Sequence, residues 1–367
     1  MPEISPVDCA HMARALELAE RGQFSAQPNP MVGCVIVNDD DVVGEGWHEL
    51  AGSEHAEINA LRAAGDRAAG ATVYVTLEPC AHHGKTPPCA EALIEAGVGR
   101  VVVAMQDPHD KVAGKGFEML SDAGIDAELG LMRSAAEALN AGFVSRVTRN
   151  RPFVRVKIAA SIDGATAMKS GESQWITGPG ARADVQRFRA RSGAVMTGIG
   201  TVLADDPSLN VRSEDIDTRG VQPLRVVLDS RLRMPASARM LTLPGQTLVC
   251  CAAGQDDTGL VEAGAEVAAY RADGERVDVV AVLEDLANRE VNDVLVEAGP
   301  GLSGSLLEKD LVDELVIYQA PHIMGSDTRP MFETPSWTTL ADRRGLEIRD
   351  VSQVGDDTRI TATIRDR

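Results

Sequence analysis

Four side chains in the N-terminal part of the chain could do chemistry together. His55-Ala56-Glu57 is followed by Pro79-Cys80 and then, past the segment Ala81-His82-His83-Gly84-Lys85-Thr86-Pro87-Pro88, by Cys89. One imidazole and two thiolates suit a zinc ion that keeps its fourth position open for water. Zinc lowers the pKa of such a water to about 7, which makes hydroxide available at neutral pH. Glu57 is not needed as a ligand and can carry protons. Residues two apart in a regular helix point about 200° from each other, so the spacing predicts that His55 stands at the very start of its helix, where both side chains border one cleft. A structural zinc site is the alternative; it would recruit a fourth protein ligand, His82 or His83, and would leave Glu57 without a task.

The order matches the zinc deaminase pattern H-x-E…P-C-x-x-C, in which hydroxide attacks an amino-bearing ring carbon and the glutamate is general acid and base. The gap between the cysteines is longer here than in that pattern. The extra residues must leave as a loop and return, and Pro87-Pro88 stiffens the return and can open the helix that carries Cys89. A second signal lies far downstream. Asp293-Val294-Leu295-Val296-Glu297-Ala298 reads as a strand and runs into Gly299-Pro300-Gly301-Leu302-Ser303-Gly304-Ser305. Small residues there let backbone N–H groups approach a phosphate at a helix N-terminus. Its late position argues against a standard dinucleotide-binding unit, and an ordinary strand–helix turn is the alternative.

These residues need elements to position them. Ser5-Pro6 opens a helix, and Pro28-Asn29-Pro30 leads into a strand over 32–37 that turns at 38–41 into a second strand. Helix 55–64, strand 71–77, helix 88–96 and strand 100–105 alternate, and 134–142 reads as helical. The polar Thr148-Arg149-Asn150-Arg151-Pro152 marks a domain boundary between residues 148 and 149. A second alternation follows, with strands expected over 153–160, 194–197, 225–229, 247–252, 277–282, 293–298 and 314–320 and helices over 179–191, 284–290 and 302–309. Both halves therefore predict layered α/β domains.

Composition bounds the function. The chain has 367 residues, 44% hydrophobic and 25% charged, an ordinary globular balance for two domains. The net charge of −19 opposes a nucleic-acid backbone as partner, though not a nucleotide-sized ligand. No apolar run approaches the roughly 18 residues of a membrane span. Met1-Pro2-Glu3-Ile4 shows no secretory signal, so the expected location is the cytoplasm. The six cysteines form no dense framework, and Cys250-Cys251 read as strand residues.

The segments Pro28-Asn29-Pro30-Met31-Val32-Gly33-Cys34, Thr76 through Cys89, Ser161-Ile162-Asp163-Gly164 through Ser173-Gln174-Trp175-Ile176-Thr177, and Thr201-Val202-Leu203-Ala204-Asp205-Asp206-Pro207 closely resemble the bifunctional deaminase/reductase family of riboflavin biosynthesis, in order over nearly the whole chain. The resemblance implies a cytidine-deaminase-like three-layer domain over 1–148 and a dihydrofolate-reductase-like α/β domain over 149–367. The first would hydrolyse the 2-amino group of 2,5-diamino-6-(5-phosphoribosylamino)pyrimidin-4-one; the second, with NADPH, would reduce the ribosyl group to ribityl, giving 5-amino-6-(5-phosphoribitylamino)uracil. His55, Cys80 and Cys89 correspond to the zinc ligands, Glu57 to the proton shuttle, and Asn29, His82 and Lys85 to substrate contacts. Ala159, Trp175, Thr201, Asp205, Ser230 and the 299–305 loop resemble NADP-contacting positions, and Ser173, Arg189, Leu209, Arg212 and Glu297 substrate-contacting ones. Arg189 and Arg212 would serve as phosphate clamps, because guanidinium binds oxyanions bidentately. Lys157 and Asp163 lie near the same strand end, and either could tune a proton. The family forms homo-oligomers, and its partner is a pyrimidine ribosyl phosphate. The competing readings are a nucleic-acid base deaminase with an accessory domain and a zinc- or nucleotide-binding sensor without turnover.

Overall fold

The first helix, α1 (Pro6–Glu20), begins as the sequence predicts. Ser5 and Asp8 form a capping box, with Pro6 at the position where a missing N–H costs nothing. The structure, a computed structural model, describes residues 5–81, 87–109, 113–255, 257–335 and 337–365. The chain divides into two units, Met1–Asn150 and Arg151–Arg367. In the first, α1 is followed by β1 (Gly33–Asn38), β2 (Asp41–Trp47), α2 (Ala56–Ala64), β3 (Thr72–Leu77), α3 (Cys89–Glu95), β4 (Arg100–Met105), α4 (Lys115–Asp122), β5 (Asp126–Leu129), α5 (Arg133–Leu139) and α6 (Ala141–Arg149). The sheet order is β2-β1-β3-β4-β5, with β1 antiparallel to both its neighbours and β3, β4 and β5 parallel.

Two glycines set how closely the helices lie on this sheet. A Cβ on Gly33 would stand 1.9 Å from the Ala15 carbonyl oxygen of α1, and one on Gly46 would stand 2.4 Å from the Ala56 carbonyl oxygen of α2. In the β1–β2 register Gly33 lies opposite Trp47 and Cys34 opposite Gly46. Since successive strand residues point to opposite faces, α1 covers one face and α2 the other, giving three layers. Val73, Val75, Val101 and Val103, all fully buried, fill the core between them. The helix expected over 134–142 is two helices broken at Asn140, whose side chain brackets the backbone of Met31: Oδ1 accepts from the Met31 N–H at 2.8 Å and Nδ2 donates to the Met31 carbonyl at 2.9 Å. The polar run at 148–149 is the last turn of α6, stopped by Asn150 in the left-handed conformation (φ 52°).

The second unit holds β6 (Phe153–Ser161), β7 (Ala165–Met168), α7 (Pro179–Ala190), β8 (Ala194–Gly198), α8 (Ile199–Asp205), β9 (Leu224–Leu228), β10 (Thr247–Ala252), α9 (Thr258–Glu262), β11 (Glu266–Tyr270), β12 (Ala272–Asp273), β13 (Arg276–Val277), α10 (Val279–Asn288), β14 (Asp293–Val296), α11 (Pro300–Glu308), β15 (Glu314–Ala320), β16 (Thr328–Pro330), β17 (Leu346–Val354) and β18 (Asp357–Ile364). Its nine-stranded sheet runs β11-β10-β9-β8-β14-β6-β15-β18-β17. The strands from β11 to β15 are parallel, and the β17–β18 hairpin adds antiparallel. One expectation fails here. The strand over 277–282 and helix over 284–290 are a single helix, α10: Asp278 caps it by accepting from the Val280 N–H, and Val279, Val282, Leu283 and Leu286 bury one face at helical spacing. The valine run favours a strand locally, and burial against the core overrides it. No helix among the described residues is long and apolar enough to cross a membrane.

Candidate active sites

In the first unit, His55 is the N-cap of α2, with extended backbone (φ −76°, ψ 163°), and Glu57 is in its first turn. His55 thus stands at the helix start that the two-residue spacing predicts. Gly46 lets this helix start lie directly on the sheet. Cys80 follows β3, and Cys89 is the first residue of α3, introduced by Pro88. The Cys89 N–H donates to Cys80 Sγ at 3.3 Å. His55 Nδ1 stands 3.2 Å from Cys89 Sγ and 3.7 Å from Cys80 Sγ. The three donors all lie within 4.8 Å of one another. Tetrahedral zinc with bonds of about 2.0–2.3 Å puts neighbouring N and S ligands about 3.6 Å apart. The donor set and its spacing fit zinc with one position open.

Glu57 is 3% exposed, and its burial pushes the carboxyl up to about 7, into the range useful to a proton carrier near neutrality. A bound dication acts in the opposite direction. Glu78, also buried, accepts from the N–H groups of Asp107, Gly114 and Gly116 at 3.2, 3.1 and 3.0 Å, and so ties the loop after β4 to the strand end that leads to Cys80. Asn29 lies beside this pocket through His48. Asn29 Nδ2 is 3.0 Å from His48 Nε2, and the His48 ring is edge-on to His55 with centroids 5.6 Å apart. His82 and Lys85, expected at the substrate, lie outside the described residues. Glu78 and His48 were missed by sequence reasoning. Glu78 could have been flagged, since an acidic residue between an apolar strand and Pro79 is rarely idle; His48 has no local signal.

In the second unit, a cavity of about 1110 Å³ opens at the carboxyl ends of β6, β8, β9 and β14, the usual ligand side of a parallel sheet. Ala159, Trp175, Thr201, Asp205 and Ser230 all line it, as do Ser173, Arg189, Leu209, Arg212 and Glu297. Of the glycine-containing loop, Gly299, Pro300, Gly301, Leu302 and Ser305 reach the cavity. Ser303 is 1% exposed within the fold, and Gly304 faces the backbone of Glu333, whose carbonyl oxygen would stand 1.9 Å from an added Cβ. These two are packing positions. Gly299 caps α11 with Pro300 at its first position, so the next N–H groups, on Gly301 and Leu302, point out of the helix start. Trp175 is 69% exposed, with the Arg182 guanidinium 4.7 Å above its ring. The Ser230 hydroxyl accepts from the Val277 N–H and thereby anchors β13 at the rim.

The arginines differ from the expectation. Arg189 Nε and Nη2 bind both Glu297 oxygens, at 2.6 and 3.0 Å, and Nη1 donates to the Asn210 carbonyl. Its fork is used inside the protein, where it fixes Glu297 and the segment around Leu209, a residue with φ 46°. Arg212 keeps more of its donor capacity toward the cavity, with Nη1 on Asn210 Oδ1. Lys157 Nζ lies 3.9 Å from Glu297 Oε2. Burial alone would raise the Glu297 carboxyl, but Arg189, Lys157 and Arg212 outweigh it and hold it below its usual range. Burial lowers the Lys157 ammonium, with Glu297 opposing. Asp163 sits apart, accepting from the Met324 and Gly325 N–H groups.

A hydrolytic zinc site of deaminase type and a parallel-sheet cleft suited to a nucleotide cofactor, carried on one chain, define a bifunctional deaminase/reductase. The cytidine and deoxycytidylate deaminase zinc-binding region matches residues 5–105, and the RibD C-terminal domain matches residues 152–360. The chain is 48% identical over 356 residues to the riboflavin biosynthesis protein RibD of Escherichia coli K12, covering 95% of this chain and 96% of that protein. It is 46% identical to RibD of Haemophilus influenzae over an alignment of 372 positions that covers 99% of each chain. Among solved structures, Acinetobacter baumannii RibD superposes with a TM-score of 0.91 at 46% identity, over 98% of this chain and 99% of that one. The diaminohydroxyphosphoribosylaminopyrimidine deaminase/5-amino-6-(5-phosphoribosylamino)uracil reductase of Thermotoga maritima does so with 0.87 at 31% identity, over 98% and 99%. The chain belongs to the RibD family of riboflavin-biosynthesis enzymes. It is a bifunctional deaminase and reductase, with zinc and NADPH as its cofactors.

Proposed function

We propose that residues 1–148 hydrolyse the 2-amino group of 2,5-diamino-6-(5-phosphoribosylamino)pyrimidin-4-one and that residues 149–367 then reduce the ribosyl group to ribityl. The observation that carries the first half is the tetrahedral spacing of His55, Cys80 and Cys89 beside the buried Glu57. These three residues would hold zinc, which when bound would supply an acidified water as nucleophile. Glu57 takes a proton from the attacking water and returns one to the departing nitrogen, so that the C–N bond breaks and ammonia leaves. Asn29 offers the base edge a hydrogen-bonding amide, and Lys85 and His82 complete the substrate contacts, Lys85 toward the phosphate.

In the second half, Ala159, Trp175, Thr201, Asp205, Ser230 and, from the glycine-containing loop, Gly299, Pro300, Gly301, Leu302 and Ser305 receive NADPH, with Gly301 and Leu302 presenting N–H groups to its phosphates. The cofactor supplies the hydride, and the protein orients it. Arg212 takes the substrate phosphate, with Ser173 and Leu209 beside it. Glu297 meets the substrate in an orientation that Arg189 sets. The small-molecule partner is thus a pyrimidine ribosyl phosphate. We place the protein in the cytoplasm as a homo-oligomer. The family resemblance and the exposed Leu346, Ile348 and Val351 on edge strand β17 support self-association, which light scattering would test. Incubation with the diaminopyrimidine phosphate, followed by mass analysis, tests the sequence of steps. Without NADPH, only exchange of amino for carbonyl is expected; with NADPH, two hydrogens are added as well. Reduction without prior deamination would overturn the order.

A further inference from the structure

The pair His48–Asn29 sits beside the zinc ligands without belonging to them, and its polarity can be worked out. His48 is 2% exposed. Its Nδ1 is 3.1 Å from the Glu54 carbonyl oxygen. A carbonyl only accepts, so Nδ1 carries the hydrogen. A neutral imidazole has one N–H, so Nε2 is left with its lone pair and can only accept. Both ring nitrogens thus have a partner that fits this tautomer: a carbonyl acceptor at Nδ1 and an amide nitrogen, a donor, at Nε2. The group 3.0 Å from Nε2 is Asn29 Nδ2, which donates to it. The amide of Asn29 is therefore locked with its NH₂ end toward His48 and its carbonyl Oδ1 turned away.

The loop around Asn29 is pinned on both sides, so the lock is not dissipated by backbone movement. The Asn29 N–H donates to the Ala26 carbonyl at 2.9 Å, and Asn140 brackets both backbone polar groups of Met31. The His48 N–H is itself fixed on the Val32 carbonyl at 2.9 Å. With the loop held, only the amide torsion remains free, and a half-turn about it would exchange acceptor for donor.

We propose that His48 is a positioning residue that makes Asn29 present an acceptor to the substrate, so that the deaminase selects a pyrimidine edge bearing an N–H donor beside the amino group to be removed. This rests on the reading that Asn29 meets the substrate. A pyrimidinone with a ring N–H next to its amino-bearing carbon satisfies Oδ1. A ring nitrogen with only a lone pair at that place faces Oδ1 unpaired, which a buried site penalises strongly.

The test uses the full-length, zinc-loaded protein. With ¹⁵N-labelled histidine, long-range ¹H–¹⁵N correlations identify the His48 tautomer, assigned by loss of the signal in His48→Phe. The Nδ1–H form is expected; the Nε2–H form or an imidazolium overturns the proposal whatever the kinetics show. His48→Phe keeps ring volume but frees the amide. Zinc content is expected to stay, kcat to change little, and KM for the diaminopyrimidine phosphate to rise about tenfold. His48→Gln, whose side-chain oxygen can accept from Asn29, is expected to restore most of that loss. If Asn29→Ala raises KM while His48→Phe does not, positioning by His48 is wrong. If Asn29→Ala leaves KM unchanged, the substrate-contact reading fails instead, and the selection of a donor edge with it.

Discussion

The two sites are built on different plans. In the metal pocket, four groups come from three short segments: the N-cap and first turn of α2, the third residue after β3 and the first residue of α3. Their backbones are fixed by helix starts, and the donors close to within 4.8 Å. The cleft of the second unit draws instead on the ends of four parallel strands around about 1110 Å³. Its charges are mostly committed to one another, as in Arg189–Glu297–Lys157. Coordination chemistry depends on a few atoms of the right element at fixed angles, so it concentrates in a few diagnostic side chains. Chemistry delegated to a diffusible cofactor asks the protein for shape, backbone donors and scattered polar contacts. The first kind tolerates almost no change of residue type; the second tolerates many changes a little.

Substitutions can break or sharpen that contrast. The largest effect is expected from Cys89→Ser, which removes one of three donors: zinc content and ammonia release should vanish together, while NADPH oxidation with a pre-deaminated substrate continues. Retained metal and deamination in this variant would remove Cys89 from the ligand set. Glu57→Gln should keep zinc but slow deamination by about 10²-fold or more, the scale of general acid–base catalysis; near-normal turnover would mean that another group moves the proton. In the cleft the expected effects are smaller. Gly301→Val adds bulk where the nearest atom is the end of the flexible Glu333 side chain, 3.3 Å from a Cβ, so the fold survives. KM for NADPH should rise about tenfold, the loss of one helix-terminus phosphate contact, with deamination intact. If each of these variants lost both activities while folded, the chemistry would not divide between the two units.

The smallest effect on activity is expected at Asp8, which belongs to neither site. Arg100, Tyr74 and Ser5 bind its carboxylate at 2.7–2.8 Å. Burial by itself would raise its pKa, but these partners prevail and hold it well below the usual carboxylate range. A depressed folded pKa gives stability that is complete above the unfolded value near 3.9 and is lost as pH falls through the folded value. Asp8→Asn should therefore cost about 2 kcal/mol at neutral pH. By calorimetry the gap from the parent should stay level between about pH 5 and 8 and narrow below about pH 4. A gap that widens in acid would contradict the ion pairing.

The contrast also explains what the sequence made legible. His55, Glu57, Cys80 and Cys89 could be found because their types are rare together and the two-residue spacing forces His55 to a helix start. The cleft was visible only through its glycine-containing loop and family resemblance, since strand ends converge from segments far apart in the chain. In the sequence Arg189 looks like a phosphate clamp because its partner, Glu297, is brought to it only through the pairing of β8 with β14. The α10 misreading has a local cause: β-branched valines mimic a strand, and the Asp278 cap carried the correct signal. His48 could not be found at all, because the amide it fixes precedes β1 while His48 follows β2, and only the pairing of those two strands brings them together.

Strand β6 has a consequence for how the molecule is made. It is the first strand of its unit to leave the ribosome, yet it pairs on one side with Asp293–Val296 and on the other with Glu314–Ala320. The earlier unit, by contrast, finds all its sheet partners within Met1–Asn150. During synthesis the deaminase half can close while the apolar Val154, Val156 and Ile158 still await both neighbours. Non-local pairing of this kind is slow and leaves apolar strand edges open in the meantime. A chain released before residue 293 would carry a finished zinc enzyme on an unpaired, aggregation-prone strand, so premature termination is expected to cost the cell both activities even though only one domain is incomplete.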